Sequence, residues 1–99
     1  MRASVIALVE LGRLPEEEDA TVPDLEAFEA AIKAIDQPIS DSEAVALLPV
    51  FPTGEGSCFG LAWSLLHLVE TAPGWPCQAA QLHRSNPWVS SMLQRAERA

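Results

Sequence analysis

Basic residues are scarce in this sequence. Six lysines and arginines stand against fourteen aspartates and glutamates in 99 residues, which gives a formal net charge of −8. Binding to nucleic acid or to an anionic membrane surface depends on clustered lysine and arginine side chains. The charge therefore argues against nucleic acid and against a membrane as partners.

Long apolar runs and cysteines are also few. The longest apolar stretch, residues 58–69, would extend about 18 Å as a helix, well short of the roughly 30 Å hydrocarbon core of a bilayer. Residues 3–9 are apolar, but Glu10 interrupts them and no small-residue cleavage site follows, so we interpret them as mature protein. Cys58 and Cys77 are too few for a disulfide scaffold; one bridge is possible, but free thiols are the expectation. Together these features predict a cytoplasmic protein.

The first half of the chain carries three helix patterns. Residues 3–11 end at Gly12, although their β-branched side chains leave a strand as an alternative. A second helix begins at Pro23 and repeats apolar residues every three or four positions. These are Leu25, Phe28, Ala31, Ile32 and Ile35. Ser40 and Glu43 have the spacing of a capping box that opens a third helix.

The second half predicts a central helix and a closing one. Ser57 is a candidate N-cap for a helix at about 57–72, whose apolar residues cover most of its circumference, as in a buried helix. They are Phe59, Leu61, Ala62, Trp63, Leu65, Leu66, Leu68 and Val69. Asn86 followed by Pro87 is a favoured start for the last helix. We therefore predict one all-α domain over residues 1–99, a compact bundle of about five short helices around the central one.

A narrow polar stripe runs along the central helix, with Ser64, His67, Glu70 and Thr71 as its candidate functional residues. In one interpretation, His67 is a core histidine bonded to Glu70 or to a carbonyl group. In the other, the stripe faces a cleft and the pair works as an acid and a base. His-x-x-Glu offers two ligands where zinc needs at least three, so no metal, cofactor or catalytic residue is assigned.

Acidic residues are concentrated in one half of the chain. Residues 1–55 hold twelve acids and three bases, whereas residues 56–99 hold two acids and three bases. This is either a solvated face or a docking surface for a basic partner. The candidate binding residues are Glu16, Glu17, Glu18, Asp19, Asp24, Glu26 and Glu29. Trp75, in a Pro-Gly-Trp-Pro turn, is either an exposed anchor or a seal on the core.

Residues 59–76, which read FGLAWSLLHLVETAPGWP, resemble a segment of a set of small bacterial proteins of unassigned function. The Asn-x-Trp pattern of Asn86 and Trp88 resembles their closing helix, so the resemblance covers roughly the last 40 residues. It transfers no activity. It implies that His67, Glu70, Thr71 and Trp75 belong together structurally, with the first two locking the helix to the turn that follows it.

Three functional hypotheses follow from these patterns. The first is a non-catalytic interaction or inhibitor protein whose acidic surface binds a basic protein, for example an immunity protein that neutralises a toxin. The second is a small enzyme or ligand-binding domain that uses His67 and Glu70. The third is a structural, self-associating module, which would be joined through Trp88, Val89 and Met92 if that helix face were exposed. The sequence does not determine the oligomeric state.

Overall fold

The structure, a computed structural model, describes residues 1–54, 56–76 and 78–98. Over these residues the chain forms five α-helices, two 3₁₀ helices and no β-strand. The α-helices are α1 (Ala3–Leu11), α2 (Val22–Lys33), α3 (Asp41–Leu47), α4 (Leu61–Val69) and α5 (Pro87–Arg98), and the 3₁₀ helices are Leu48–Val50 and Gln78–His83. The prediction of an all-α bundle with about five helices is confirmed. Among the described residues, none of these helices is long and apolar enough to cross a bilayer.

The starts and stops of the outer helices follow the local sequence. Thr21 accepts a hydrogen bond from the Asp24 amide at the start of α2. The capping box that opens α3 is present, with Ser40 and Glu43 each bonding the backbone of the other. Residues 3–11 form a helix rather than a strand, and Gly12 ends it with a positive φ of 85° that glycine adopts without strain.

The central helix is shorter than predicted. It spans Leu61–Val69 instead of 57–72, because Cys58, Phe59 and Gly60 have positive φ angles of 51°, 55° and 90°. Three consecutive left-handed residues form a turn that no right-handed helix can include. Ser57 bonds the Gly60 amide within this turn and does not cap the helix. Beyond Val69 the chain continues in two tight turns, so the C-terminal boundary differs only by the usual fraying.

Helix α4 occupies the centre of the bundle. It packs against α2 and α3, which both contact α1, and it meets α5 where Trp63 contacts Trp88. The inner face of α4 is fully buried through Leu65, Leu66 and Val69. Val50, at the end of the first 3₁₀ helix, and Phe51 after it also turn inward. The buried apolar side chains form one continuous core.

An ion pair between Arg2 and Glu43 joins the N-terminus of α1 to the start of α3. The Arg2 guanidinium bonds both carboxylate oxygens of Glu43, at 3.2 Å each, and also reaches the Asp36 carbonyl oxygen at 2.9 Å. Glu43 is only 4% exposed. Chiefly because of the Arg2 bond, followed by the bond from the Ser40 backbone, the pKa of Glu43 falls from 4.5 to about 2. The folded protein therefore holds this carboxylate in its charged form.

We expect the Arg2–Glu43 ion pair to make the stability of the protein fall at acidic pH. A carboxyl group whose pKa is lower in the folded state stabilises the fold above its unfolded pKa, and this contribution disappears as pH falls through the folded pKa. The free energy of unfolding should therefore drop by roughly 2 kcal/mol between about pH 4.5 and pH 2 on account of Glu43, allowing for the partly exposed Arg2. Urea unfolding at several pH values measures this.

Glu43→Gln removes the titrating group and should flatten that part of the pH profile, while Glu10→Gln, on the exposed side of α1, should leave it unchanged. An acid-induced loss of equal size in Glu43→Gln and in the original chain would contradict the assignment.

Candidate interaction surface

One face of α4 and the turn before it is open to solvent and carries two large aromatic side chains. Phe59 is 66% exposed and Trp63 is 49% exposed. Ser64 and His67 are exposed beside them. We call these four residues, Phe59, Trp63, Ser64 and His67, the outer face of α4. This face lies between α2 and α5, and its two aromatic side chains are exposed near the centre of the fold.

The sequence-based assignment of Phe59 and Trp63 to the core is wrong. At 100° per residue, Trp63 falls between His67 and Glu70 on the side that the polar stripe marks as outward, and only its hydrophobicity placed it with the core. Its indole stands edge-on against buried Trp88, with ring centroids 5.1 Å apart and planes at 83°. Trp88 in turn stacks on Phe51 at 6.1 Å. Trp63 is therefore half exposed but held in a fixed orientation.

Phe59 is presented by a strained turn that an acidic side chain holds in place. A non-glycine residue in the left-handed region costs about 1–2 kcal/mol. One carboxylate oxygen of Glu17 accepts a hydrogen bond from the Phe59 amide at 3.3 Å and one from the Ser57 hydroxyl at 3.5 Å. The Ser57 hydroxyl oxygen also accepts the Gly60 amide at 3.2 Å. These bonds compensate part of the strain.

Two of the predicted docking acids thus have an internal role. Glu16 is partly buried, and its carboxylate accepts hydrogen bonds from the Gly54 amide at 3.2 Å and from the Thr53 hydroxyl at 3.3 Å. Together with Glu17, it binds the loop that leads into α4. Glu17 is exposed and Glu16 half-buried, and one carboxylate oxygen of each accepts the internal bonds, so these two acids stabilise the loop from the surface of the protein.

The other predicted docking acids are exposed. Glu18 and Asp19 lie in the turn before α2, and Asp24, Glu26 and Glu29 lie on α2. Of these five side chains only Glu29 has an ion pair among the described residues, with Lys33 at 2.6 Å. They form what we call the acidic face, defined as Glu18, Asp19, Asp24, Glu26 and Glu29.

Two grooves flank the outer face of α4. The larger, about 370 Å³, lies toward α2 and is lined by Glu29, Ile32, Lys33, Phe59, Gly60, Leu61 and Ser64. The smaller, about 220 Å³, lies toward α5 and is lined by Trp63, Pro87, Trp88 and Ser91. Both are open to solvent. The larger groove joins the exposed aromatic residue to the acidic face.

The predicted polar stripe divides into two parts. Ser64 and His67 belong to the outer face of α4, so the interpretation of His67 as a core histidine is wrong. The His67 Nδ1 and Glu70 Oε1 atoms are 3.9 Å apart, beyond hydrogen-bond distance, and Glu70 also lies 3.7 Å from Arg95. Thr71 is structural, because its hydroxyl oxygen accepts the Ile39 amide at 3.2 Å and its hydroxyl group donates to the Leu68 carbonyl at 2.6 Å.

The Pro-Gly-Trp-Pro turn also proves structural. Trp75 packs against the core, and its buried indole nitrogen has no hydrogen-bond partner in the described part of the chain. Trp75 is therefore partly buried against the core, as the interpretation that it seals the core predicts, and is not fully exposed. Asp41, rather than His67 and Glu70, locks the turn, since its Oδ1 accepts the Gly74 amide at 2.8 Å. A Cβ at Gly74 would overlap the same carboxylate, so a larger residue there would displace the Asp41 side chain from this bond.

No catalytic constellation is evident where the structure describes the side chains. Cys58 is free and buried, and burial, reinforced by the nearby Glu17 and Glu16, raises the pKa of its thiol. It is therefore a poor nucleophile. Cys77 lies outside the described residues. No group of three or more His, Cys, Asp or Glu side chains able to hold a metal occurs within the described ranges.

The face of α5 that the self-association hypothesis requires to be exposed is buried. Trp88, Val89 and Met92 are buried in the core of the same chain. They therefore provide no seam for a second copy.

Comparison with known proteins adds no family to this geometry. No protein-family model matches the chain, and neither a curated protein nor a solved structure matches it significantly.

We expect Glu17 and Glu18 to differ sharply despite their adjacency. Glu17→Ala removes the acceptor for the Phe59 amide and should lower the free energy of unfolding by about 1 kcal/mol, the usual net contribution of such bonds. Glu18→Ala is the matched control and should stay within about 0.5 kcal/mol of the original chain. Urea unfolding gives both values, and hydrogen exchange at the Phe59 amide should quicken only in Glu17→Ala. Equal effects of the two substitutions would contradict the internal role of Glu17.

Proposed function

We propose that this protein is a non-catalytic binding protein that recognises a basic protein partner through the outer face of α4 and the adjacent acidic face. The observation that carries this proposal is the exposure of Phe59 and Trp63 beside α2. An inhibitor of a basic protein, such as an immunity protein against a toxin, is one form that this function can take.

The two aromatic side chains support the apolar part of such an interface. Phenylalanine and tryptophan are enriched in the centres of protein–protein interfaces, and tryptophan is prominent among the residues that contribute most to affinity. Trp63 keeps its orientation through Trp88, and Phe59 through the turn that Glu17 binds. A surface fixed before binding loses little conformational entropy when the partner arrives.

The acidic face supports the basic character of the partner. Its five acids are exposed, and only Lys33 pairs with one of them in the described residues. A field of one sign accelerates the encounter with an oppositely charged partner and disfavours partners of like charge. The partner is therefore expected to carry a lysine- or arginine-rich surface around an apolar contact.

The enzymatic alternative has less support. His67 and Glu70 are too far apart for a hydrogen bond, and neither lines the two grooves that flank α4. General acid–base catalysis requires an oriented pair that reaches a bound substrate.

A random dodecapeptide library displayed on phage tests the proposal before any partner has been identified. Selection against the immobilised protein should enrich peptides with several lysines or arginines and at least one large apolar residue. Their affinity should fall about fivefold or more between low and physiological salt, because exposed charges are screened. Titration calorimetry of the synthesised peptides measures this.

Matched variants separate specific from general effects. Phe59→Ser should weaken binding about tenfold, whereas Leu82→Ser, which removes a side chain that is 85% exposed elsewhere, should not. Glu18→Gln/Glu26→Gln and Glu10→Gln/Asp36→Asn remove equal charge, and only the first pair should slow association strongly. Enrichment of acidic or uncharged peptides, or equal effects of the two serine variants, would overturn the proposal.

A further inference from the structure

The larger groove has two walls of different chemistry. Glu29, Ile32 and Lys33 line it from α2, and Phe59, Gly60, Leu61 and Ser64 line it from α4 and the turn before it. Ile32 and Leu61 are each buried to more than nine-tenths and form the apolar floor. The groove therefore combines an apolar floor, an aromatic ring and a carboxylate.

We propose that this groove receives an arginine side chain of the basic partner. The inference rests on the proposed function and assigns one position within its binding surface. An arginine presents an apolar three-carbon stem, a planar guanidinium that stacks on aromatic rings, and a fork of donors that fits a carboxylate. The floor, Phe59 and Glu29 match these three parts in turn.

The Glu29 carboxylate has an oxygen for this contact. Lys33 bonds Oε1 at 2.6 Å, and Oε2 has no hydrogen-bond partner among the described residues. A second cation can therefore join the pair without displacing Lys33. Phe59 stands at the opposite wall, where a guanidinium between ring and carboxylate gains both a cation–π contact and a charge-assisted hydrogen bond.

Lysine fits the groove less well than arginine. Its ammonium is a compact and strongly hydrated charge, without a planar face to lay on Phe59 and without a fork of donors that fits the Glu29 carboxylate. A second copy of this chain is also a poor occupant, since two molecules with a net charge of −8 repel each other.

The test uses N-acetyl-arginine amide as the probe and N-acetyl-lysine amide as its control. Each is titrated into the uniformly ¹⁵N-labelled full chain at low salt, and amide shifts are followed by NMR. The arginine probe should give saturable shifts at Ile32, Lys33 and residues 59–64. Its affinity should exceed that of the lysine probe about threefold or more.

Three variants locate the contacts. Phe59→Ser should abolish the saturable shifts, and Glu29→Gln should weaken binding about threefold. Glu10→Gln, on the exposed side of α1 and outside both the groove and the acidic face, should leave the affinity within measurement error. Melting curves confirm that each variant folds, which is expected because all three side chains are exposed.

Equal, non-saturating shifts with both probes, or shifts that survive Phe59→Ser, would overturn the arginine site. If basic peptides selected from the library still bind in a salt-dependent way, the proposed function stands and only this assignment fails. If neither peptides nor probes bind, both fail. A concentration-dependent dimer that masks the groove would also overturn the assignment.

Discussion

Two carboxylates hold the loop on which the rest of the candidate surface depends. Glu16 bonds the amide of Gly54 and Glu17 that of Phe59, so the acidic turn fixes both ends of the segment that leads into α4. The same loop receives the Trp88 indole nitrogen at the Gly54 carbonyl, 3.1 Å away. It thereby joins the acidic turn, α4 and α5. These bonds, with the local backbone bonds of Leu61 and Ala62, set the start of α4 and the direction of Phe59.

Much of the fold could be predicted because it follows from local rules. The capping box of Ser40 and Glu43, the Asn86-Pro87 start of α5 and the period of apolar residues in α2 each act within a few residues of sequence. The start of α4 could not be predicted in this way. The left-handed turn at 58–60 depends on Glu17, some forty residues earlier in the chain, and nothing in the local sequence reveals that contact.

The candidate surface was predicted only in part. The concentration of acids in the first half of the chain predicted the exposed acids of α2. It could not distinguish Glu17, which accepts a hydrogen bond from a backbone amide, from Glu18, which has no hydrogen bond among the described residues. The hydrophobicity of Trp63 predicts a core position, whereas its helical position beside the stripe of Ser64 and His67 indicates the outward side. Phe59 is exposed and lines the same groove as Glu29, and the proposed docking role rests on this adjacency.

In-cell photocrosslinking is the most direct measurement of whether the outer face of α4 contacts a partner. Trp63 is replaced by p-benzoylphenylalanine in the full chain, and Ile6, on the exposed side of α1, is replaced likewise as the reference. Irradiation should join the position-63 variant to a protein rich in lysine and arginine, while the position-6 variant gives no such adduct. An adduct formed only from position 6, or with an acidic protein, would contradict the account.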